Sequence, residues 1–90
     1  MHKAPTSFNM ELFEEIRSII SDVTFIEASD IHPDSDFVDE LEITPEARNL
    51  QEITKRLNTR YELELSTKAL AAEVETVADL VNIVSDEVEY

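Results

Sequence analysis

Ninety residues with a net charge of −14 allow one small domain with one modest core, and they disfavour roles that require contact with phosphate-rich surfaces. Negative charge at this density repels nucleic acids and anionic membranes, so we predict neither as a partner. The chain has no cysteine, which excludes disulfides, thiol catalysis and cysteine-ligated metals. It also has no glycine, which excludes the glycine-rich loops that bind nucleotide phosphates.

Two kinds of apolar segment bear on the location of the chain, a membrane span and a secretory signal. No apolar stretch is long enough to cross a bilayer, and the first ten residues lack the apolar block of a secretory signal. We therefore predict a cytoplasmic protein, by default rather than from a positive motif. We expect residues 1–8 to form a flexible lead, residues 9–86 to form the domain and residues 87–90 to form an acidic tail.

The first predicted helix begins near residue 9 and ends near residue 25. Its apolar residues recur at steps of three and four, which places them on one helical face: Leu12, Ile16, Ile19, Ile20 and Val23. Ser7 and Asn9 are both candidates for the N-cap, because each has a side-chain oxygen that can accept a backbone N–H.

Residues 26–43 are predicted to form a long acidic loop, because Pro33 interrupts any continuous helix. A loop of this length in a small domain is usually functional. Four apolar residues are spaced as anchors that fasten the loop to the core: Ile26, Ile31, Phe37 and Leu41.

Two features of this loop raise the question of a metal site. Carboxylates are the ligands that hard divalent cations prefer, and the loop has five: Asp34, Asp36, Asp39, Glu40 and Glu42. An EF-hand loop needs a glycine at its sixth position, however, so we predict non-specific ion screening and no metal site. His2 and His32 lack a cysteine partner or HExxH spacing and are predicted to be ordinary polar residues, with His32 exposed.

The second helix is predicted from about Thr44 to Arg60. Thr44 suits the N-cap, and Pro45 suits the first helical position, where its missing N–H costs little. An alternation of apolar residues and glutamates from Tyr61 to Leu65 predicts a short extended exit. Without glycine, asparagine is the remaining choice for left-handed helix ends, and the candidates are Asn58 and Asn82.

Two further helices are predicted after this exit. Ser66 can cap a short third helix, and Thr76 with Asp79 forms a capping-box-like pair at the start of the last helix. The periodicity of all the elements predicts one apolar core, made of Leu12, Ile16, Ile19, Ile20, Phe37, Leu41, Leu50, Ile53, Leu57, Tyr61, Leu65, Leu70, Val77, Leu80 and Val84.

The order of these elements resembles the acyl carrier protein family over roughly residues 10–85, and three local signatures carry the resemblance. The segment DSDFVDEL is similar to the family's acidic run with phenylalanine and leucine before the second helix. Leu57, Tyr61, Leu65 and Ser66 stand where the family has leucine, an aromatic residue, isoleucine and proline. ETVADLVNIV is similar to its entry to the last helix. The resemblance implies an all-α, four-helix bundle with a long loop after helix 1 and a short helix 3.

The chain departs from this family at the site that carries its cargo. The family attaches 4′-phosphopantetheine to a serine at the start of the second helix, after an aspartate. Counting forward from the loop signature reaches Pro45, with Thr44 at the aspartate position, whereas counting back from the signature after the helix reaches Ala47. Neither residue has a hydroxyl. The two counts differ by two residues, which predicts a longer helix or a longer entry.

We therefore predict an acyl-carrier-protein-like domain that is not an enzyme and has no phosphopantetheine or other cofactor. It would act as a protein-binding or regulatory adaptor linked to fatty-acid or polyketide metabolism. The alternative is an atypical acyl carrier, modified on another hydroxyl such as Thr44 or Ser35. Capping by Thr44 would occupy its hydroxyl and argues against that residue.

The second helix is basic, whereas the family's second helix is typically acidic and docks on basic partners. It holds four of the seven basic residues in the chain, namely Arg48, Lys55, Arg56 and Arg60. We predict Arg48, Lys55 and Arg56 as a binding surface for an acidic protein partner. Two other interpretations remain open: the face pairs with the acidic loop of its own domain or of a second copy, or it is solvated, with intrahelical pairs such as Glu52–Arg56.

Overall fold

The structure, a computed structural model, describes residues 9–44 and 46–88. Four helices and one short 3-10 turn occupy this part of the chain: α1 (Met10–Thr24), the 3-10 turn (Ala28–Asp30), α2 (Arg48–Tyr61), α3 (Thr67–Glu73) and α4 (Val77–Val88). Within these residues there is no strand, only one isolated antiparallel bridge between Asp36 and Thr76. The all-α prediction, with a long loop after the first helix and a short third helix, is confirmed.

α1 begins and ends close to the predicted bounds. Asn9 is its N-cap, with Oδ1 accepting the N–H of Leu12 at 3.0 Å. Ser7, the other candidate, lies outside the described residues. The helix ends at Phe25, which has left-handed backbone angles with φ of 66°. Its buried face is wider than predicted, because Phe13 is buried beside Leu12.

The long loop is fastened both to the core and to the start of α4. Ile31, Phe37 and Leu41 are buried as predicted, while Ile26 is only partly buried. Backbone hydrogen bonds join the loop to residues 75–78, including Phe37 N–H to the Glu75 carbonyl at 2.9 Å. The loop therefore has a fixed conformation, which positions the chain for entry into α2.

α2 begins at Arg48, so the predicted start at Thr44 is wrong. Ala47 occupies the N-cap position without a side-chain hydrogen bond, and the Thr44 carbonyl accepts the N–H of Ala47 in a turn at 2.9 Å. Pro45 lies outside the described residues. The physical reason is Ile43, which is buried in the core and donates its N–H to the Phe37 carbonyl at 2.6 Å. The chain needs several residues to return from the core before the helix begins.

The predicted left-handed positions are also wrong. Asn58 lies inside α2, where its side-chain amide donates to the Leu65 carbonyl at 3.0 Å and its Oδ1 accepts the Leu65 N–H at 2.8 Å. Asn82 lies inside α4. Left-handed angles occur instead at Phe25, Glu42 and Glu62. Asn58 stabilises the exit from α2 through its side chain. The left-handed turn itself falls at Glu62, a residue type with no preference for left-handed backbone angles.

The caps of the last two helices are confirmed. Ser66 Oγ accepts the N–H of Ala69 at 3.2 Å, at the start of α3. Asp79 Oδ2 accepts the N–H groups of Glu75 and Thr76 at 2.9 and 3.1 Å, just before α4. α4 continues to Val88, two residues into the segment assigned to the tail, and residues 89–90 lie outside the described part of the chain.

The core is one cluster in which α1 packs against both α2 and α4. Of the predicted core residues, Tyr61 and Leu65 are only partly buried and pack on its edge. The predicted core list lacks four buried apolar residues, namely Phe13, Ile43, Val81 and Ile31, the last of which was predicted as a loop anchor. No helix in the described residues is both long enough and apolar enough to span a bilayer.

Candidate functional site

The start of α2 is the place where the resemblance predicts the attachment site. Ala47 offers a methyl group at the N-cap, and Arg48 is the first helical residue. The first turn contains no acidic residue and no side-chain cap. The two counts place the attachment position at Pro45 or at Ala47, and both precede the first helical residue, Arg48. A phosphate ester needs a side-chain hydroxyl, and the sequence Ala47–Leu50 supplies none.

Hydroxyl groups near this position differ sharply in accessibility. Thr44 is exposed, and its hydroxyl makes no hydrogen bond to any described residue, so the predicted capping role is wrong. Ser35 is only 3% exposed, and its Oγ accepts the N–H of His32 at 2.9 Å. A modifying enzyme can therefore reach Thr44 but not Ser35 in the folded domain. Ser66 is committed to capping α3.

The basic face of α2 is partly neutralised within the domain. Arg56 Nε lies 3.1 Å from Glu52 Oε2, which is the intrahelical pair that the sequence left open as one interpretation. Arg60 Nε lies 3.4 Å from Glu15 Oε1 on α1, so its partner is a helix and not the acidic loop. Arg48 and Lys55 are exposed and have no ion pair within the described residues. The positive charge left over is therefore concentrated on Arg48 and Lys55.

A polar contact joins α1 to the end of α2. The Tyr61 hydroxyl donates to Glu15 Oε1 at 2.5 Å, next to the Arg60 ion pair. Burial raises the pKa of Tyr61 to about 12, and the hydrogen bond and negative charge of Glu15 act in the same direction, while Arg60 opposes them. Because Tyr61 stays protonated at neutral pH, this contact is a hydrogen bond from a neutral phenol to a carboxylate. The contact joins α1 to the end of α2.

Two surface hollows flank these elements. A groove of about 710 Å³ runs between α1 and α2, with Glu11, Glu14 and Asp22 on one wall and Arg56 and Arg60 on the other. A second hollow of about 610 Å³ lies beside the start of α2 and is lined largely by loop residues. The groove was not predicted from the sequence, although the sequence contains the row of polar residues on α1 that lines it.

The acidic loop uses its carboxylates to form its own turns. Asp36 Oδ1 accepts the N–H groups of Val38 and Asp39 at 3.0 and 2.9 Å, and Glu40 Oε1 accepts the N–H of Asp36 at 2.8 Å. Across the described residues, no three carboxylate or histidine side chains are arranged to hold a metal ion. His32 is exposed as predicted, and His2 lies outside the described residues.

The comparison with known families agrees with this architecture. A family profile described as a phosphopantetheine attachment site matches residues 14–84. The match begins inside α1, ends inside α4 and includes the long loop and the start of α2. It therefore covers the whole of the helical domain apart from its edges. The chain belongs to the phosphopantetheine-attachment family of carrier-protein domains.

Proposed function

We propose that this carrier-protein domain acts through contacts with other proteins and carries no phosphopantetheine. The observation that supports the proposal is at the start of α2, where neither Ala47 nor Arg48 has an esterifiable hydroxyl. A carrier domain without its arm has no group on which to hold an acyl chain. Without the arm, the domain is a helical scaffold with basic residues on α2 and acidic residues in the long loop.

The proposed role is that of an adaptor or regulator in acyl metabolism, in the fatty-acid or polyketide class. The family supplies the link to acyl chemistry, and the domain itself performs no catalysis in this proposal. Arg48, Lys55 and Arg56 form the proposed partner surface on α2. Arg48 and Lys55 are the stronger contributors, because Arg56 already pairs with Glu52 and its charge is partly compensated. The partner is an acidic protein surface, and the cytoplasm is the proposed location.

A mass measurement tests the absence of the arm. The full chain is incubated with coenzyme A and a phosphopantetheinyl transferase of broad specificity, and its intact mass is recorded. We expect no change in mass. The positive control is a double variant, Ala47→Ser with Arg48→Leu, which places serine followed by leucine at the start of α2. Its modification would show that the transferase can dock on this domain. A gain of one phosphopantetheinyl group by the unaltered chain would refute the proposal.

A second function is favoured by one specific observation: Thr44 is exposed, and its hydroxyl makes no hydrogen bond within residues 9–44 and 46–88. In this alternative the domain is an atypical acyl carrier with its arm on Thr44, three residues before the N-cap of α2. The same incubation would then add one group to the unaltered chain, and Thr44→Ala would abolish the addition. Ser35→Ala is the matched control, because Ser35 is buried and its loss should leave any modification unchanged.

A further inference from the structure

The outward face of α1 carries a row of exposed residues, Glu11, Glu14, Ser18 and Asp22, and the exposed Phe25 follows directly after the helix. The spacing of three, four and four residues from Glu11 to Asp22 places these side chains within a band about 80° wide at 100° per residue. From Glu11 to Asp22 the band is about 16 Å long, at 1.5 Å per residue. It forms one wall of the groove between α1 and α2 and continues beyond it to Phe25.

Phe25 is an unusual residue at the end of this band. Its side chain is 90% exposed, and its φ of 66° lies in the left-handed region, which is unfavourable for a bulky residue. A large apolar side chain held in this way gains nothing from burial within the domain. The position would favour glycine or asparagine if it served only to end the helix.

Hydrogen bonds on both sides hold the backbone of Phe25 in place. Its N–H donates to the Ser21 carbonyl at 2.8 Å, and the Ser21 hydroxyl donates to the Ile26 carbonyl at 2.6 Å. The Thr24 hydroxyl donates to the Ile20 carbonyl at 2.8 Å and accepts the N–H of Ile26 at 3.2 Å. The aromatic ring is therefore presented from a fixed backbone. Rigid exposed aromatic residues lose little entropy on binding and often anchor interfaces.

The carboxylates of the band are largely uncompensated. Among the described residues, Glu11 and Asp22 form no ion pair, and the Glu14–Arg17 contact is long at 4.0 Å. Glu15, at the edge of the groove, is already engaged by Tyr61 and Arg60. The band therefore presents three negative charges beside one aromatic anchor. A second copy of the chain is a poor occupant, because two molecules with net charges of −14 repel each other.

We propose that this face of α1 binds a partner protein through a basic amphipathic helix whose apolar residues pack on Phe25. Lysine or arginine side chains of that helix would meet Glu14 and Asp22, which are about 12 Å apart at 1.5 Å per residue, or two turns of a helix. Phe25 supplies an aromatic contact at one end of the bound helix. This surface lies on a different helix from the proposed α2 site and carries charge of the opposite sign.

A helical peptide is the probe for this proposal. It has 18 residues, with lysines at positions that span two turns and leucines at one end, and it is titrated into the isotope-labelled full chain by nuclear magnetic resonance. We expect chemical-shift changes concentrated from Glu11 to Phe25. The double variant Glu14→Lys, Asp22→Lys should weaken binding at least tenfold, equivalent to about 1.4 kcal/mol. The control Asp34→Lys, Asp39→Lys makes the same charge change in the exposed loop and should alter affinity less than about threefold.

Phe25→Asn separates binding from folding. Asparagine tolerates left-handed angles and removes the exposed ring, so the variant should melt at a higher temperature than the unaltered chain while binding the peptide about tenfold more weakly. A purely structural role for Phe25 predicts unchanged binding.

Three results would overturn the proposal: no binding at roughly 1 mM peptide, equal weakening by the loop control, or undiminished binding by Phe25→Asn. Self-association that depends on Phe25, measured by sedimentation without peptide, would assign the face to a second copy instead. None of these outcomes depends on whether the domain accepts phosphopantetheine, so this test and the mass measurement fail independently.

Discussion

Replacing Leu57 with alanine should remove much of the stability of the domain. Leu57 has no exposed surface and lies in the middle of α2, which packs against α1. The substitution deletes three carbon atoms, which costs about 2.4 kcal/mol at roughly 0.8 kcal/mol per buried methylene group. A residual cavity raises the cost, so we expect a loss of about 2–5 kcal/mol. A domain of 90 residues has a total stability of roughly 5–13 kcal/mol, so the variant should be markedly less stable but can still fold.

Urea unfolding followed by far-ultraviolet circular dichroism measures this loss, since the chain has no tryptophan for fluorescence. Leu63→Ala is the matched control, because Leu63 lies outside α2 and is only partly buried at the edge of the core. It should cost less than half as much as Leu57→Ala. A loss below about 1 kcal/mol for Leu57→Ala, with an unchanged slope in urea, would show that Leu57 does not lie in a tightly packed interior.

Three further predictions concern charge. In a Tyr90→Phe background, Tyr61 should titrate by ultraviolet absorbance near its raised pKa of about 12, and Glu15→Gln should lower the midpoint towards 10. Since the folded-state pKa lies above the unfolded value, the stabilisation by Tyr61 is complete below pH 10 and is lost as the pH rises towards 12. An unshifted midpoint would mean that Tyr61 is neither buried nor bonded to Glu15 in solution. Sodium chloride should raise the melting temperature, because 21 acidic residues against seven basic ones give net repulsion, whereas a fall would show that attractive pairs dominate. Reversing Lys55 and Arg56 to glutamate should slow association with an acidic partner at low salt, and it should cost less than about 1 kcal/mol of folding stability. If a pull-down recovers partners equally well with the reversed variant and the unaltered chain, this face is only a solvated surface.

Elements governed by local chemistry were predictable from the sequence. The apolar spacing of α1 and α4 places their buried residues on one face whatever surrounds them, and Asn9, Ser66 and Asp79 cap helices through bonds to residues within four positions. The lack of a hydroxyl at Pro45 and Ala47 is likewise a property of the residues themselves, so the departure from the family follows from the sequence alone.

The start of α2 depends on contacts that are distant along the chain. Thr44 followed by Pro45 has the local chemistry of a helix start, but burial of Ile43 and its hydrogen bond to Phe37 draw the preceding segment into the core. The helix can then begin only at Arg48. Tertiary structure thus decided which residue occupies the N-cap, and it left the Thr44 hydroxyl unbonded among the described residues.

Accessibility was decided by the fold as well. Ser35 and Thr44 are both small hydroxyl residues in one acidic loop, yet the contacts of that loop with α4 bury the first and leave the second exposed. Phe25 directly follows the amphipathic helix α1, and its left-handed backbone angles end that helix. Its ring lies in solvent, because the direction of a side chain beyond a helix end depends on how the chain reverses and not on periodicity.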